Sequence, residues 1–353
     1  MLPDWLPNIH PLIVHFPIAL LVTALLFDLF RLIKDKPEWL HKAAGILYAV
    51  GTIGLGAAFY SGKQAVTSVL LAGDASVTAA THEDWALYTL IYFIMLTALR
   101  LWFWIKGSLK NRSMSILFAA AGLTGVAILW QTAEYGSAMV YRHGVAVQAT
   151  EQLREENDKL QRKLALFRED WKPQLKEDGS WSWLPGPESA SAVEEVFNIQ
   201  GSGEFSLRTD RINGRYHLSV KPSGDYTYLV IGENMKSVEG LMEINIEQFS
   251  GAVMLLHHFT DTDNYQYLKL KDDKLIQGQV LDGNERVLQS GSIDTNGWIT
   301  LRLSAAGTHF YGYRNSESVT HTHGEEMQEG LTGFAFGGNG KLLVRSIEFN
   351  RLD

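Results

Sequence analysis

The stretch HPLIVHFPIALL, residues 10–21, sets the architecture of the first half of this chain. It places His10 and His15 at the start of an apolar run of membrane-spanning length. An ionisable side chain inside a membrane segment is costly, so by default it marks a functional site. The sequence therefore predicts a membrane helix that carries a site near its beginning.

Three further apolar runs follow, at about 41–61, 85–105 and 114–140. Each approaches the roughly 20 apolar residues that a spanning helix needs. We therefore predict a four-helix transmembrane bundle over residues 1–143. With up-and-down topology, His82 and His143 lie at the same face of the membrane as His10 and His15.

Basic residues near the helix ends predict the orientation of the bundle. By the positive-inside rule, the side richer in Lys and Arg faces the cytoplasm. The opposite side carries only Lys63 and Arg142, so both termini should be periplasmic in a bacterial inner membrane. The N-terminus lacks the features of a cleaved secretory signal, so we expect the first helix to remain as an anchor. The basic residues on the inner side are Arg31, Lys34, Lys36, Lys42, Arg100, Lys106, Lys110 and Arg112.

Composition excludes several classes of site. The net charge of −8 argues against nucleic acid as a partner, since phosphate binding needs a basic face. The chain has no cysteine, which excludes disulfides, thiolate metal sites and covalent haem attachment through CxxCH. Any haem would therefore be held by histidine alone.

The pattern changes after the fourth apolar run. Residues 144–172 are rich in helix formers with mixed charge, which predicts that the fourth helix continues as a stalk. Leu153, Leu160 and Phe167 form a weak heptad, compatible with self-association or with packing on the soluble domain. Residues 173–194 contain Gly, Pro and Ser and are predicted to be a linker. Its tryptophans could bind sugar, pin the linker onto a surface or lie at the bilayer interface.

Residues 195–353 alternate polar and apolar positions with period two. YHLSVKP (216–222), YTYLVI (226–231) and WITLRLS (298–304) are examples, rich in β-branched and aromatic residues. Turn signals separate the runs, such as DG at 282–283 and NG at 213–214. Many short strands without a helical pattern predict an all-β sandwich.

Both halves resemble known groups. AVMLLHHFTDTDNYQYLKL (252–270), GWITLRLSAAGTHFYGYRN (297–315) and GLTGFAFGGNGKLLVRSIEF (330–349) resemble the concanavalin A-like (laminin G-like) jelly roll, whose motifs are structural. HPLIVHFPIALL, His82 and YGSAMVYRHGVAV (135–147) resemble the bacterial membrane family called domain of unknown function 2231. This second resemblance implies a small b-type-cytochrome-like bundle.

The four histidines of one membrane face are the predicted cofactor ligands. Neutral imidazole binds iron, and a bundle can hold haem b between histidines on different helices. His10 and His15 lie about 140° apart round a straight helix, so they suit different partners. His15 is the preferred ligand, His82 and His143 are the leading partners, and one or two haems are compatible. Glu134 could orient a ligand histidine, accept a proton or merely pair with a buried polar group.

The histidines also have a purely structural alternative. A histidine at a helix end can simply bond a backbone carbonyl or a lipid head group. His41 is the one histidine predicted at the other membrane face, which argues against a second haem there and against electron transfer across the whole membrane.

The soluble half offers weaker candidates. His321 and His323 point to the same side of an extended segment, a spacing that can bind metal, although a solvated loop is the alternative. His257 and His258, adjacent on a strand, should face opposite sides. Asp261 and Asp263 are compatible with calcium or with an ordinary turn. No recognisable catalytic motif occurs, so we do not predict an enzyme.

These features predict a multidomain membrane protein, a four-helix bundle joined by a helical stalk to a periplasmic jelly roll. The favoured function is a b-type cytochrome-like subunit for electron transfer or assembly within a larger membrane complex. Its partners would be lipid, other subunits or a periplasmic c-type cytochrome. The alternative is a cofactor-free anchored adaptor whose jelly roll binds a protein or a glycan. Periplasmic metal handling by the same histidines is a third possibility.

Overall fold

The computed structural model describes residues 8–33, 39–106, 112–165, 171–326 and 328–352. The chain forms two compact units. The first contains the described residues up to Val69 together with Thr78–Ala146, and the second contains Leu70–Val77 together with the chain from Val147 onward.

Membrane-length helices make up the first unit. Within the described residues, four helices are long and apolar enough to span a membrane, with mean hydropathy between 1.5 and 2.2 in their best windows. They confirm the predicted spans and the α part of the fold class. The helices are α1 (His10–Arg31), α2 (Trp39–Val66), α3 (Ala75–Ile105) and α4 (Arg112–Tyr141).

Small residues bring these helices close together. A Cβ placed on Gly51 would lie 2.8 Å from the Leu21 side chain, and one on Gly125 would lie 2.8 Å from Phe93. Glycine at such positions lets backbones approach, which membrane helices need because lipid supplies no hydrophobic drive between them. The outer surface is apolar, as shown by Ile53, which is 74% exposed. This pattern suits a bundle surrounded by lipid.

The helical continuation predicted after α4 is interrupted. α4 ends at Tyr141, and Gly144 and Ala146 adopt positive φ of 63° and 61° before α5 begins (Gln148–Ala165). A helix cannot pass through left-handed residues, so within the predicted stalk over 144–172 the described helix α5 is separate from α4. Leu153 and Leu160 of the weak heptad are exposed on α5, and Phe167 lies outside the described residues.

The predicted linker over 173–194 is an integral part of the second unit. It forms β1 (Gln174–Leu175), β2 (Trp181–Trp183) and the start of α6 (Ser189–Val196). Trp181 and Trp183 are fully buried in the sandwich core, because β2 pairs with the last strand of the sheet. Both indole nitrogens find acceptors. Trp181 Nε1 donates to Thr332 Oγ1 at 2.8 Å, and Trp183 Nε1 donates to the Trp171 carbonyl at 2.9 Å.

The second unit is an antiparallel β-sandwich, as predicted. Its described strands join into one continuous sheet that folds over on itself. After β1 and β2 the strands are β3 (Asn198–Gly201), β4 (Glu204–Ile212), β5 (Arg215–Met235), β6 (Val238–Asp261), β7 (Asn264–Lys271), β8 (Lys274–Leu281), β9 (Asn284–Ser292), β10 (Ile299–Ala306), β11 (His309–Arg314), β12 (Glu317–His323) and β13 (Gly330–Arg351).

Three long strands, β5, β6 and β13, run through both layers of the sandwich. Gly224 pairs with Gly338, which pairs with Gly251, so one glycine row crosses all three strands. Their φ values of +87°, +129° and +156° allow the strands to bend between the layers. The front layer contains β7, β8 and β9 with one half of each long strand. The back layer contains β10, β11 and β12 with the other half.

The connection Leu70–Val77 belongs to the second unit and lies on the outer side of its back layer. The Gly73 amide donates to Glu239 Oε1 at 3.1 Å, and Ser304 Oγ donates to Ser76 Oγ at 2.6 Å. Arg302 holds Glu239 through an ion pair of 2.9 Å. These hydrogen bonds hold the segment as part of the sandwich surface.

Candidate functional site

His10 of the bundle is fixed by the end of α2. Its Nδ1 lies 3.0 Å from Ser61 Oγ, and Ser61 Oγ donates its own hydrogen to the Ala58 carbonyl at 2.9 Å. Ser61 must therefore accept from His10, so Nδ1 of the neutral ring carries the proton. The ring lies over Gly62, where a Cβ would come within 3.2 Å of Cε1. Nε2 is left as the basic nitrogen.

The side chain of His82 is held in the same manner by α4. Its Nδ1 lies 2.9 Å from the Thr132 carbonyl, and a carbonyl can only accept, so Nδ1 donates. The ring packs on Gly136, where a Cβ would lie 3.1 Å from Cε1. In the neutral ring Nε2 is again the basic nitrogen. Anchoring one ring nitrogen to an oxygen acceptor is the usual support of a metal-binding histidine.

Two predicted site residues lie on the outside of the bundle. His15 is exposed on α1, although its spacing within an apolar helix predicted the deepest ligand. Glu134 is exposed on α4, and its role beside a ligand histidine stays a prediction. The rotation of each helix about its own axis decides whether such a side chain faces the bundle interior or the outside. Hydropathy along the sequence does not reveal that rotation.

His143 lies just beyond the end of α4. Its Nε2 is 2.9 Å from Thr78 Oγ1, near the start of α3. His143 therefore uses Nε2 for this contact, whereas His10 and His82 use Nδ1. The four predicted histidines thus divide into two with Nδ1 anchored, one with Nε2 anchored and one on the outer surface.

Sequence reasoning missed a buried ion pair in the bundle. Arg100 donates to both carboxylate oxygens of Asp28, at 2.6 and 2.7 Å, and lies 3.5 Å from His41 Nδ1. The guanidinium also lies 5.1 Å from the centre of the Tyr48 ring. The sequence analysis counted Arg100 as a residue of a cytoplasmic connection, but α3 continues to Ile105 and buries it. The sequence signal that could have revealed this pair is an aspartate in one apolar run and an arginine in another.

An aromatic surface covers the outer face of the front layer. Tyr226, Tyr228, Tyr265 and Tyr267 follow one another with ring centres 5.5 to 6.2 Å apart, and Phe259 packs beside them. An antiparallel sheet usually alternates apolar residues inward and polar residues outward. Here the outward positions carry tyrosine. We call these four tyrosines with Lys269 and Glu285 the tyrosine face.

Polar contacts order the tyrosine face. The Tyr228 and Tyr265 hydroxyls are 3.2 Å apart, while the Tyr267 hydroxyl and Lys269 Nζ both donate to Glu285. Burial raises the pKa of Tyr226 to about 12 and raises those of Tyr265 and Tyr267 further. Burial opposes ionisation of Glu285, but hydrogen bonds from Lys269 and Tyr267 prevail and lower its pKa. At neutral pH the tyrosines are neutral and Glu285 is ionised.

Three histidines gather on the outer face of the β11–β12 hairpin. His309 lies directly across the ladder from His323, and His321 lies across from Tyr311. Each ring offers one nitrogen, and these nitrogens lie within 4.8 Å of one another. The sequence predicted the His321 and His323 pair. It did not identify His309 as the third member, because the hairpin register was unknown.

Two other sequence predictions have clear outcomes. His257 and His258 were expected on opposite sides of a strand, but His258 has a φ of 50°, and the two Nδ1 atoms lie 2.8 Å apart. A bulge in β6 causes this. Asp261 forms a turn, in which its Oδ1 accepts from the Asp263 amide at 2.8 Å and from Asn264 Nδ2 at 3.1 Å.

Comparison with known proteins supports the resemblance predicted for the first half of the chain. Residues 6–149 match the family described as "Predicted membrane protein (DUF2231)". No curated protein sequence matches the chain. A carbohydrate-binding module CBM66 from Bacillus subtilis has a similar fold, with 16% identity, a TM-score of 0.34, and coverage of 42% of this chain and 94% of that one.

Two further solved structures are similar in fold. A protein of unknown function with a galectin-like fold from Bacillus subtilis has 12% identity and a TM-score of 0.38, covering 47% of this chain and 93% of its own. The binding domain of botulinum neurotoxin DC, in complex with rat synaptotagmin II, has 14% identity and a TM-score of 0.35, covering 44% of each chain. These likenesses concern the jelly-roll fold and carry nothing about a ligand.

Proposed function

We propose that this protein is a membrane-anchored binding protein. The four-helix bundle holds it in a bacterial inner membrane, and the β-sandwich binds a periplasmic glycan through the tyrosine face. The observation that carries this proposal is the unbroken row of four tyrosines at outward positions of the front layer.

The parts of the tyrosine face differ in accessibility. Tyr228, Tyr265 and Tyr267 are nearly fully buried and form a rigid floor. Tyr226 is only half-buried, and 49% of the Glu285 side chain is exposed. A ligand would therefore contact the Tyr226 ring and the Glu285 carboxylate first.

The chemistry of the accessible groups favours a hydroxyl-rich ligand. Tyrosine combines an apolar ring with a hydroxyl that donates and accepts. An ionised carboxylate accepts from hydroxyl groups in charge-assisted hydrogen bonds, which are about twice as strong as neutral ones. Sugars present both apolar ring faces and hydroxyls. A protein partner at the same face is the competing outcome.

The test measures glycan binding by the full chain in detergent. A glycan array identifies a ligand, and isothermal titration then compares the wild type with Tyr226→Ala and Glu285→Gln. We expect Glu285→Gln to weaken binding about tenfold or more, because a hydrogen bond to a charged group contributes about 1.5–3 kcal/mol.

The matched control is Tyr216→Ala, which removes another half-buried tyrosine of β5 outside the tyrosine face. It should leave glycan affinity unchanged. The proposal fails if no glycan binds, or if the two tyrosine-face variants bind as tightly as the wild type. Recovery of a protein that depends on Tyr226 would favour the competing partner class.

A second candidate function is haem b binding by the bundle. His10 and His82 fit this cofactor, because each has Nδ1 anchored and Nε2 basic, and each ring packs on glycine. Bis-histidine haem would supply one-electron transfer. The protein would then act as an electron-transfer or assembly subunit of a larger membrane complex, with partners such as a periplasmic c-type cytochrome.

A reduced-minus-oxidised absorption spectrum with a pyridine haemochrome assay tests this second function. We expect His10→Ala and His82→Ala to lose or shift the haem bands. His15→Ala is the control, because His15 is exposed on the outside of the bundle, and it should keep them. A colourless protein without haem would reject this function and leave the binding function untouched.

A further inference from the structure

We propose that His309, His321 and His323 form a binding site for a zinc ion on the sandwich. The site is separate from the tyrosine face, because the hairpin that carries it belongs to the back layer. The geometry of the hairpin, the burial of the rings and the chemistry of imidazole each support it.

The strand period brings the three rings to one side. His321 and His323 are two residues apart on β12, so their side chains leave the same face. His309 of β11 is the direct cross-strand partner of His323, and such partners also share a face. Three imidazoles from two neighbouring strands therefore converge without any loop.

The distances suit a small ion. The three ring nitrogens lie within 4.8 Å of one another. A tetrahedral zinc ion with Zn–N bonds of about 2.0–2.1 Å holds its ligand nitrogens about 3.3 Å apart. Rotation of exposed His323, whose ring centre is 4.4 Å from that of His309, can supply the small approach required.

The surroundings hold two of the rings in position. His309 is only 2% exposed. The ring of His321 stacks on buried Tyr311 with centres 4.7 Å apart and an interplanar angle of 8°. Ligands whose orientation is already restricted lose less entropy on binding. The exposed His323 completes the site and gives an ion access from solvent.

Nitrogen ligands select the class of ion. Calcium and magnesium prefer oxygen ligands, whereas imidazole suits zinc, copper, nickel and iron. Three histidines leave one tetrahedral position for water or another ligand, as in zinc sites that do not have four protein ligands. The proposed site is therefore an open, three-nitrogen zinc site.

The experiment titrates Zn²⁺ into the full chain in detergent at pH 7.5 after treatment with a chelator. We expect one Zn²⁺ per chain, and at least about a tenfold loss of affinity in His323→Ala and in His321→Ala. Loss of a supporting partner alone costs about 10–100-fold in metal affinity, so loss of a ligand should cost no less. His323 is exposed, so its removal should leave the metal-free thermal transition unchanged.

The matched control is Thr322→Ala, on the same strand with its side chain on the other face. It should bind Zn²⁺ like the wild type. Undiminished binding in the histidine variants, absence of Zn²⁺ binding, or binding of Cu²⁺ without Zn²⁺ would overturn the proposal.

Discussion

The interiors of the two units are held together by different interactions. The bundle packs leucine, alanine and a few rings such as Phe93, and it contains the Asp28–Arg100 ion pair, whose side chains are only 4% and 3% exposed. The sandwich buries large rings such as Trp181, Phe334 and Phe349. Apolar burial from water drives the folding of the sandwich. In lipid that drive between helices is missing, so close backbones and polar contacts hold the bundle together.

Histidines show the same difference. In the bundle each anchored histidine is held by a separate neighbouring helix, as His10 is by α2 and His82 is by α4. In the sandwich, two paired strands bring three histidines together. A ladder aligns residues at a period of two, whereas helices present ligands only where their rotations agree. Metal ligands therefore converge more readily on the hairpin.

The largest change in stability is expected when one charge of the buried Asp28–Arg100 pair is removed. Arg100→Met should destabilise the bundle by about 3–5 kcal/mol, because it leaves the Asp28 carboxylate without its counter-charge. Thermal unfolding of the detergent-purified chain measures the effect. The double variant Asp28→Leu/Arg100→Met should recover most of the loss. A single variant as stable as the wild type would contradict the importance of this pair.

A smaller effect is expected from a hydrogen bond in the sandwich core. Trp181→Phe should cost about 1–3 kcal/mol, because the buried Thr332 hydroxyl loses its donor. Adding Thr332→Val removes both partners and should restore part of the stability. Calorimetry of the full chain separates this transition from that of the bundle. An unchanged sandwich transition in Trp181→Phe would show that packing alone matters there.

Acid should weaken the sandwich through its buried histidines. Burial lowers the pKa of His257 well below its ordinary value, with His258 adding to the effect, and burial also lowers that of His258. Below about pH 6.5 the unfolded chain binds protons that the folded chain does not, so stability falls as pH falls. The slope should reach about 1.4 kcal/mol per pH unit for each histidine.

Melting temperatures of the sandwich transition between pH 8 and pH 5 measure this dependence. His257→Gln should reduce the slope, because one titrating group is removed. A slope that is identical in wild type and variant would assign the acid sensitivity to other groups.

The smallest effect is expected for an exposed ion pair. Lys172 Nζ lies 2.5 Å from Glu195 Oε2, but the two side chains are 53% and 61% exposed. Water and salt screen such pairs, so Lys172→Ala should change the free energy of unfolding by less than about 1 kcal/mol. The contrast with Arg100→Met sharpens the comparison between buried and exposed charges. A loss of stability as large as that expected for Arg100→Met would contradict the difference between exposed and buried ion pairs.

Local patterns allowed much of the fold to be predicted. Four apolar runs predicted α1 to α4, and alternation with turn residues predicted the sandwich, because hydropathy and period are properties of neighbouring residues. The break at Gly144 and the burial of Trp181 were not predicted. Backbone conformation and strand pairing decide them, and neither leaves a clear trace in composition.

The sites were predicted less well than the elements. His10 was identified from its place at the start of an apolar run and His82 from its place at the start of the third helix, and both are anchored by a neighbouring helix. His15 was identified by the same signal but lies on the outer surface. A histidine inside a spanning segment is visible in a sequence, but the direction in which it points depends on how the helices rotate against one another.

Sequence alone therefore determined that this chain has a membrane bundle and a β-sandwich, since both follow from short-range periodicity. The tertiary structure decided which polar groups meet. Asp28 joins Arg100 across 72 positions of the chain, and His309 joins His321 and His323 through the register of a hairpin. Such contacts depend on helix rotation and strand register, which are set by packing over the whole unit and not by any local pattern.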